Sequence, residues 1–322
     1  MTEIPPYFGK PSRKDFLRGA AITALLPLLP RISRAEAERI GVLEIAPGIF
    51  VHVGQYQLVN EANRGDISNP CCIIGSDAVA VIDTSGSFAM GSDLHTAIRK
   101  ITDKPVRYVI NTHMHPDHVM GNAAFKAPDV TFIGHYKLPA ALAARKESYL
   151  ANARRRLGEE AFRGTEIIPP TLLVQGSRDL DLGNRVLTLK SRPTAHTDND
   201  LTIYDHPTET FFAGDLLFSG HIPTLDGSIV GWLKLIPELK LEKAARAVPG
   251  HGPKSMSWPD AIDPVERYLT VLATDVRQMI KDGKTLEEAV ATAGQSERGK
   301  WALFDEHHPR NVTAAYTELE WE

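Results

Sequence analysis

His113-Met114-His115-Pro116-Asp117-His118 is the stretch on which the reading of this chain turns. Three imidazoles and a carboxylate, all able to bind a borderline cation, fall within six residues. The run follows Val106 to Ile110, whose branched apolar residues read as a strand, and leads into Val119 to Phe125, where a helix is expected. The ligand-type groups therefore stand at a strand's carboxyl end, where layered α/β proteins commonly form sites. Alternate residues of an extended turn point apart, so one ion cannot collect all four groups. Two ions sharing the run resolve this, His113 and His115 serving one, Asp117 and His118 its neighbour. Zinc suits such donors, at about 2.0–2.2 Å, and a catalytic zinc keeps one position open for water.

Further ligands must come from later in the chain. His196 in Pro193-Thr194-Ala195-His196-Thr197, Asp215 in Ala213-Gly214-Asp215-Leu216 and His251 in Val248-Pro249-Gly250-His251-Gly252 each lie in a small-residue turn at a strand's end. Glycine beside a ligand lets the backbone approach closely.

Around these residues, short β-rich runs alternate with polar turns. Ile49 to Val53, Cys71 to Gly75, Ala78 to Ile82, Val130 to Ile133, Thr171 to Val174, Arg185 to Leu189, Leu201 to Tyr204 and Thr210 to Ala213 read as strands. Phe88 to Ile101, with Met90, Leu94 and Ile98 on one face, reads as a helix, and so does Trp232 to Ala245. The pattern fits a layered α/β fold, two sheets face to face with helices outside. After residue 255 the character turns helical, with Asp263 to Ile280 and Leu286 to Ala293 as helices and a polar tail from Glu297. The expected organisation is a core domain over 38–255 and a C-terminal helical extension over 256–322.

Residues 1–37 read as an export signal. Ser12-Arg13-Lys14-Asp15-Phe16-Leu17-Arg18 runs into an apolar stretch from Gly19 to Pro30 and then Ala35-Glu36-Ala37, the order of charged region, apolar region and cleavage site. The Ser-Arg-Lys-x-Phe-Leu pattern resembles a twin-arginine signal with Lys in place of the second Arg. The apolar run is shorter than the roughly 20 residues that span a bilayer, so cleavage near Ala37 and a periplasmic protein without a stable membrane anchor are expected.

Lys and Arg number 36 against 40 Asp and Glu, a formal charge of −4. Without residues 1–37, which hold six of the former and three of the latter, the balance is 30 against 37, or −7. No basic stripe tracks a phosphate backbone, which argues against a nucleic-acid partner. Adjacent Cys71 and Cys72 are poorly placed to pair with each other and read as buried small hydrophobes.

Taken in order, Asp83, His113-x-His115-x-Asp117-His118, His196, Asp215 and His251 resemble the five motifs of the metallo-β-lactamase superfamily, over roughly residues 42 to 255. The resemblance implies an αβ/βα four-layer sandwich with a two-zinc site at one edge. It implies that His113, His115 and His196 hold the first zinc, Asp117, His118 and His251 the second, that Asp215 bridges them, and that Asp83 orients a ligand from behind. Asp117 and Asp215 are then the catalytic carboxylates, able to receive or relay the proton of an activated water. The chemistry is hydrolysis of an ester, thioester, lactone or lactam in a small-molecule acyl substrate. No cationic grip for a phosphodiester is visible in the sequence.

Class B β-lactamases resemble the chain in fold, but the best-known of them place a Cys where Asp215 stands. Glyoxalase II-like thioesterases and lactonases share the Asp-His pair. Asn63-Arg64-Gly65-Asp66-Ile67, Val109-Ile110-Asn111-Thr112-His113, Gly214 to Leu233 with Leu225-Asp226-Gly227-Ser228, and His308-Pro309-Arg310-Asn311-Val312 resemble the periplasmic quinoprotein relay system zinc metallohydrolases, relatives of a metallohydrolase of sulfur-oxidation clusters. A periplasmic quinoprotein dehydrogenase is the partner this implies. Arg64, on a loop expected to overhang the metals, and His221, shortly after Asp215, are candidate substrate contacts. Two other readings stay open: an accessory protein that matures a dehydrogenase without turnover, and class B β-lactamase activity. A mononuclear iron dioxygenase of the same fold is disfavoured, because Asp117, His118 and His251 complete a second site.

Overall fold

Val79-Ala80-Val81-Ile82 form strand β4, and its side chains divide between two cores. Ala80 and Ile82 belong to one apolar cluster, Val79 and Val81 to another. A strand covered on both faces reads as an unbroken apolar run, and this one is covered by a second sheet on one side and a helix on the other. The computed structural model describes residues 40–322, so the expected export signal over 1–37 lies outside the described residues.

The first sheet holds β1 (Val42–Ala46), β2 (Ile49–His52), β3 (Cys71–Ile74), β4 (Val79–Ile82), β5 (Val106–Ile110), β6 (Thr131–His135) and β7 (Leu172–Val174), neighbours in chain order. Pairing is antiparallel up to β4 and parallel from β4 to β7. The change comes at the crossover helix α1 (Phe88–Ile101), whose Met90, Leu94 and Ile98 cover the outer face. The second sheet holds β8 (Ser177–Asp181), β9 (Val186–Ser191), β10 (Leu201–Asp205), β11 (Thr210–Phe218), β12 (Arg246–His251) and β13 (Met256–Ser257), ordered from β13 to β8. Between the sheets, Ile49, Ile73, Ile110 and Ile133 pack with Leu187, Leu189, Ile203 and Phe212. The outer face of the second sheet is buried under α4 (Ile229–Lys240), α5 (Asp263–Lys281), α6 (Leu286–Thr292) and α7 (Phe304–Leu319), which share one apolar cluster through Trp232, Leu269, Leu272, Ala289 and Val312. Helices, two sheets and helices make the four layers expected from the sequence.

Cys71 and Cys72 are buried free thiols on opposite faces of β3, and burial pushes the Cys72 thiol up to about 12. No helix among the described residues is long and apolar enough to cross a membrane.

Besides β1, β8 and β13, which fall where no strand was expected, and the helix expected over Val119 to Phe125, replaced by short helical turns over Pro116–Val119 and Asn122–Phe125, three helices differ from the sequence reading. Helix α3 (Leu138–Phe162, kinked at Gly158) occupies a stretch where no element was expected; its buried residues Leu138, Ala141 and Leu142 are separated from Ala153 and Leu157 by a segment carrying Arg145, Lys146, Glu147, Ser148 and Asn152. Helix α4 starts at Ile229 rather than Trp232, where the Ser228 hydroxyl accepts from Gly231 N, and it ends at Lys240 because the chain must enter β12. The expected polar tail is helix α7, with Phe304, His308, Asn311, Val312, Ala315 and Leu319 buried at helical spacing. Two of those six are polar, and both are satisfied: Tyr268 donates its hydroxyl hydrogen to His308 Nδ1 at 2.9 Å and accepts from Asn311 Nδ2 at 2.8 Å.

Candidate metal centre

The run from His113 leaves β5 and enters a one-turn helix, α2 (Pro116–Val119), with Pro116 at its first position. There Pro has no useful N–H to lose and its φ suits the helix. The His118 carbonyl accepts from Thr84 N at 3.0 Å and from Asn111 Nδ2 at 3.2 Å, which pins the turn to the end of β4.

The seven expected ligands gather into two groups. His113, His115, His196 and Asp215 form one, Asp117, His118 and His251 the other. Within the first, His196 Nε2 lies 3.3 Å from His113 Nε2 and 3.0 Å from His115 Nδ1. Within the second, Asp117 Oδ2 lies 3.3 Å from His118 Nε2 and 3.2 Å from His251 Nε2. Asp215 faces both: Oδ2 is 3.3 Å from His196 Nε2 and 3.4 Å from His251 Nε2, and Oδ1 is 3.2 Å from His118 Nε2.

Each imidazole is held from behind by its other nitrogen, an arrangement that sets tautomer and ring orientation in metal sites. His118 Nδ1 donates to Asp83 Oδ2 at 2.8 Å, His115 Nε2 to Asp226 Oδ2 at 3.0 Å, His196 Nδ1 to Thr224 O at 2.7 Å and His251 Nδ1 to Ile67 O at 2.7 Å. His113 Nδ1 donates to Thr112 Oγ1 at 3.0 Å, and that hydroxyl donates to Asp83 Oδ2 at 2.7 Å. Asp83 thus reaches both groups. It sits at φ 56°, a backbone region costly for a non-glycine residue and kept here by its hydrogen bonds.

The nitrogens left over point at one another, and lone pairs brought so close need a cation between them. His118 Nε2 and Asp215 Oδ1 are buried without a hydrogen-bond partner among the described residues, which is costly unless a further ligand satisfies them. Electrostatics agree. Burial, then the His118 charge, lowers His113 well below the ordinary imidazole value, and burial brings His196 down to about 3. Around His118 burial opposes charge, but Asp215, Asp117 and Asp83 raise its pKa well above normal; against the same opposition Asp215 and Asp117 lift His251 to about 10. Burial likewise opposes ionisation of Asp117 and Asp215, yet the imidazoles around them hold both well below the usual carboxylate range. Two anionic carboxylates among close-set imidazoles, buried together, fit a pair of divalent cations.

The sequence profile described as the metallo-beta-lactamase superfamily matches residues 64–251, which spans every residue of both groups. The chain belongs to the metallo-beta-lactamase superfamily. Among solved structures it is similar to a metallo-beta-lactamase from Pontibacter korlensis, at 18% identity and TM-score 0.58, over 72% of this chain and 99% of that one. It is also similar to a double mutant of the sec-alkyl sulfatase PisA1, at 16% identity and TM-score 0.66, over 88% of this chain and 51% of that one. A linear primary-alkylsulfatase of Pseudomonas sp. (strain ATCC 19151) is 31% identical over 64 residues, 20% of this chain and only 12% of that protein's length.

Within this superfamily fold, His196 lies in the loop before β10 and His251 ends β12, but Asp215 is inside β11 rather than in a turn at its end. Gly214, at φ +54°, lies where the pairing of β11 with β12 slips, and this bulge turns Asp215 toward the ligands. A Cβ built on Gly250 would collide with Asp215 Oδ1, so that glycine is required for the carboxylate to sit where it does. Arg64 is not at the ligand groups: its Nη2 pairs with Asp93 at 2.6 Å, and it does not line the adjoining cavity. His221 does line it, buried and stacked 5.0 Å from the His251 ring.

That cavity, of about 320 Å³, has His115, Asp117, Asp215 and His251 in its wall. Residues the sequence reading did not place there also line it, among them Arg145, Tyr149, Arg156, Asp226, His307 and Arg310. The absence of a cationic grip inferred from the sequence is therefore corrected: three arginines, far apart in the chain or hidden in an unrecognised helix, converge on one cavity. A readable signal existed in the spacing of Arg145, Tyr149, Asn152 and Arg156, one face of a helix. Asp226 belongs to the stretch 225–228 and Arg310 to the stretch 308–312, both singled out from sequence; Arg310 Nη2 donates to Asp226 Oδ1 at 2.9 Å, and Asn311 Oδ1 accepts from Leu225 N. The C-terminal helix thereby braces the carboxylate behind His115.

Proposed function

We propose that this chain is a periplasmic two-zinc hydrolase of small acyl substrates, an ester, thioester or lactone. The single observation that carries the reading is the convergence of five outwardly tethered imidazoles and two ionised carboxylates on two adjoining positions with buried polar atoms left unpaired. His113, His115 and His196 would hold one zinc, Asp117, His118 and His251 the other, with Asp215 facing both. When bound, such a pair supplies Lewis acidity and a nucleophile from water at neutral pH. The chain's own part is to fix geometry and move protons. Asp83, Asp226, Thr224 and Ile67 keep the imidazoles aimed. Asp117, in the cavity wall, is placed to take the proton released by water and return it to the leaving group.

The N-terminal pattern supports export to the periplasm. The stretches 225–228 and 308–312, which carry the finer resemblance to quinoprotein relay system zinc metallohydrolases, meet beside the ligand groups; a quinoprotein dehydrogenase as partner rests on that resemblance. Two relatives named as alkylsulfatases, together with the arginines in the cavity, favour a sulfate ester as a second substrate class.

The test is metal content and turnover on one preparation, across lactones, thioesters, β-lactams and alkyl sulfates. Two zinc per chain, with acyl hydrolysis lost on chelation and restored by zinc, is the expected result. One iron per chain with oxygen consumption refutes it, and so does a His115→Ala strain that fully complements a deletion.

A further inference from the structure

We infer that the cavity takes an acyl substrate carrying a second, non-reacting anionic group, gripped by Arg156, with Arg145 and Arg310 gathered at Asp226 elsewhere in the same wall; this rests on the hydrolytic reading above. Arg145, Tyr149, Asn152 and Arg156 recur at i, i+4, i+7 and i+11 along α3, so these polar groups share the face that lines the cavity together with Ala153 and Leu157, and Arg310 approaches from α7.

The charge balance of the lining points the same way. Its carboxylates are Asp117, Asp215 and Asp226. The first two belong to the metal groups. Asp226 is already engaged, accepting from His115 at 3.0 Å and Arg310 at 2.9 Å, with Arg145 at 3.7 Å. Arg156 has no carboxylate partner among the described residues, so at least one guanidinium facing the cavity is uncompensated. In a chain whose formal charge is −4, three arginines around one cavity do not reflect the background composition. No lysine lines it, and the planar guanidinium fork matches a planar or tetrahedral oxyanion better than an ammonium does. Burial pushes the Tyr149 hydroxyl up, so it stays a neutral donor near Arg145. Leu58 and Met120 line the same cavity and cover an apolar stem. The volume, about 320 Å³, accommodates a small molecule. Carboxylate, sulfate and phosphate share the required chemistry.

The experiment compares the zinc-loaded protein with its Arg156→Gln variant on mono-p-nitrophenyl glutarate and the neutral methyl ester of that compound. Binding of glutaric acid monoanilide and its methyl ester, measured by calorimetry, gives a readout that needs no turnover. The wild-type protein is expected to prefer the anion by about tenfold or more in kcat/KM and in affinity, and Arg156→Gln to lose most of that preference. Replacing the distal carboxylate with sulfonate or phosphonate ranks the anions. Equal handling of charged and neutral compounds overturns the inference, as does a preference that survives Arg156→Gln, which would place the anion on the metals. If neither ester is turned over but the monoanilide is still bound in an Arg156-dependent way, the anion site stands and the hydrolytic reading fails.

Discussion

Asp226→Asn should weaken one of the two metal positions and spare the other. Asp226 accepts the Nε2 hydrogen of His115 at 3.0 Å and so leaves Nδ1 for the cation. Burial opposes its ionisation, but the hydrogen bond and charge of His115, with Arg310 and Arg145, hold its pKa well below the usual carboxylate range, so at neutral pH the acceptor is an anion. Asparagine keeps the shape and loses the charge. A hydrogen bond to a charged group contributes about 1.5–3 kcal/mol and a neutral one about 0.5–1.5, so the exchange costs His115 on the order of 1–1.5 kcal/mol. That is about a tenfold loss of zinc affinity, at the low end of the roughly 10–100-fold seen when partners behind metal ligands are changed. Competition with a chromophoric chelator, which resolves two successive zinc affinities, is the assay. The loss should fall on the position served by His113, His115 and His196. Asp83→Asn provides the counterpart, because Asp83 binds His118 directly and His113 only through Thr112, so its larger effect should fall on the other position. If both variants weaken both positions equally, or Asp226→Asn binds zinc like the wild type, the assignment of separate supports to separate ions is wrong.

Gly250→Ala places a methyl group on Asp215 Oδ1, so zinc should fall below two per chain and turnover by at least about 100-fold, as measured by metal analysis and kinetics, while the far-UV circular dichroism is retained. Glu297→Gln tests the anchoring of the C-terminal helices. Burial opposes the Glu297 charge, but donors from Arg267, Lys300 and Trp301 bring its pKa down to about 2. A folded-state pKa below the unfolded one stabilises fully above the ordinary carboxylate value near 4.5 and is lost as pH falls from there toward 2. Because Arg267 and Lys300 are about half exposed, at 45% and 47%, the shift is discounted for solvent screening to about 2 kcal/mol at neutral pH. Urea titrations should show the variant less stable at pH 7 and the gap narrowing from about pH 4.5 downward as the pH approaches 2; a gap that stays constant with pH contradicts the account.

What could be read from the sequence was whatever chemistry concentrates in short segments. His113 to His118 stand within one turn, and strands buried on both faces, such as β4, announce themselves as apolar runs. Even Asp215 was identifiable, although its setting was not: a bulge depends on how β11 and β12 pair, which no local pattern records. Helix α3 escaped notice for a physical reason. A helix that lines a cavity carries polar residues on part of its inward face, and the apolar stripe by which helices are recognised is broken there. Arg64 failed in the opposite sense, since a loop arginine near a site finds the nearest carboxylate, here Asp93.

The parts that were hard to read share a function. Helices α3 and α7 build the cavity wall with Arg145, Arg156, His307 and Arg310, whereas the legible residues form the two ligand-type groups. Metal chemistry needs several strong donors close together, and strand ends supply them from short motifs. Selecting a substrate needs single groups spread around a volume of about 320 Å³, and these come from residues more than 150 positions apart in the chain. Arg310 joins the two tasks. Through Asp226 it supports His115, and beside Arg145 it adds positive charge to the cavity. A substitution there should disturb metal affinity and anion preference together, while Arg156, which does not touch Asp226, should alter only the second. Measuring both variants for both properties separates a residue that supports the metal site from one that only recognises what enters it.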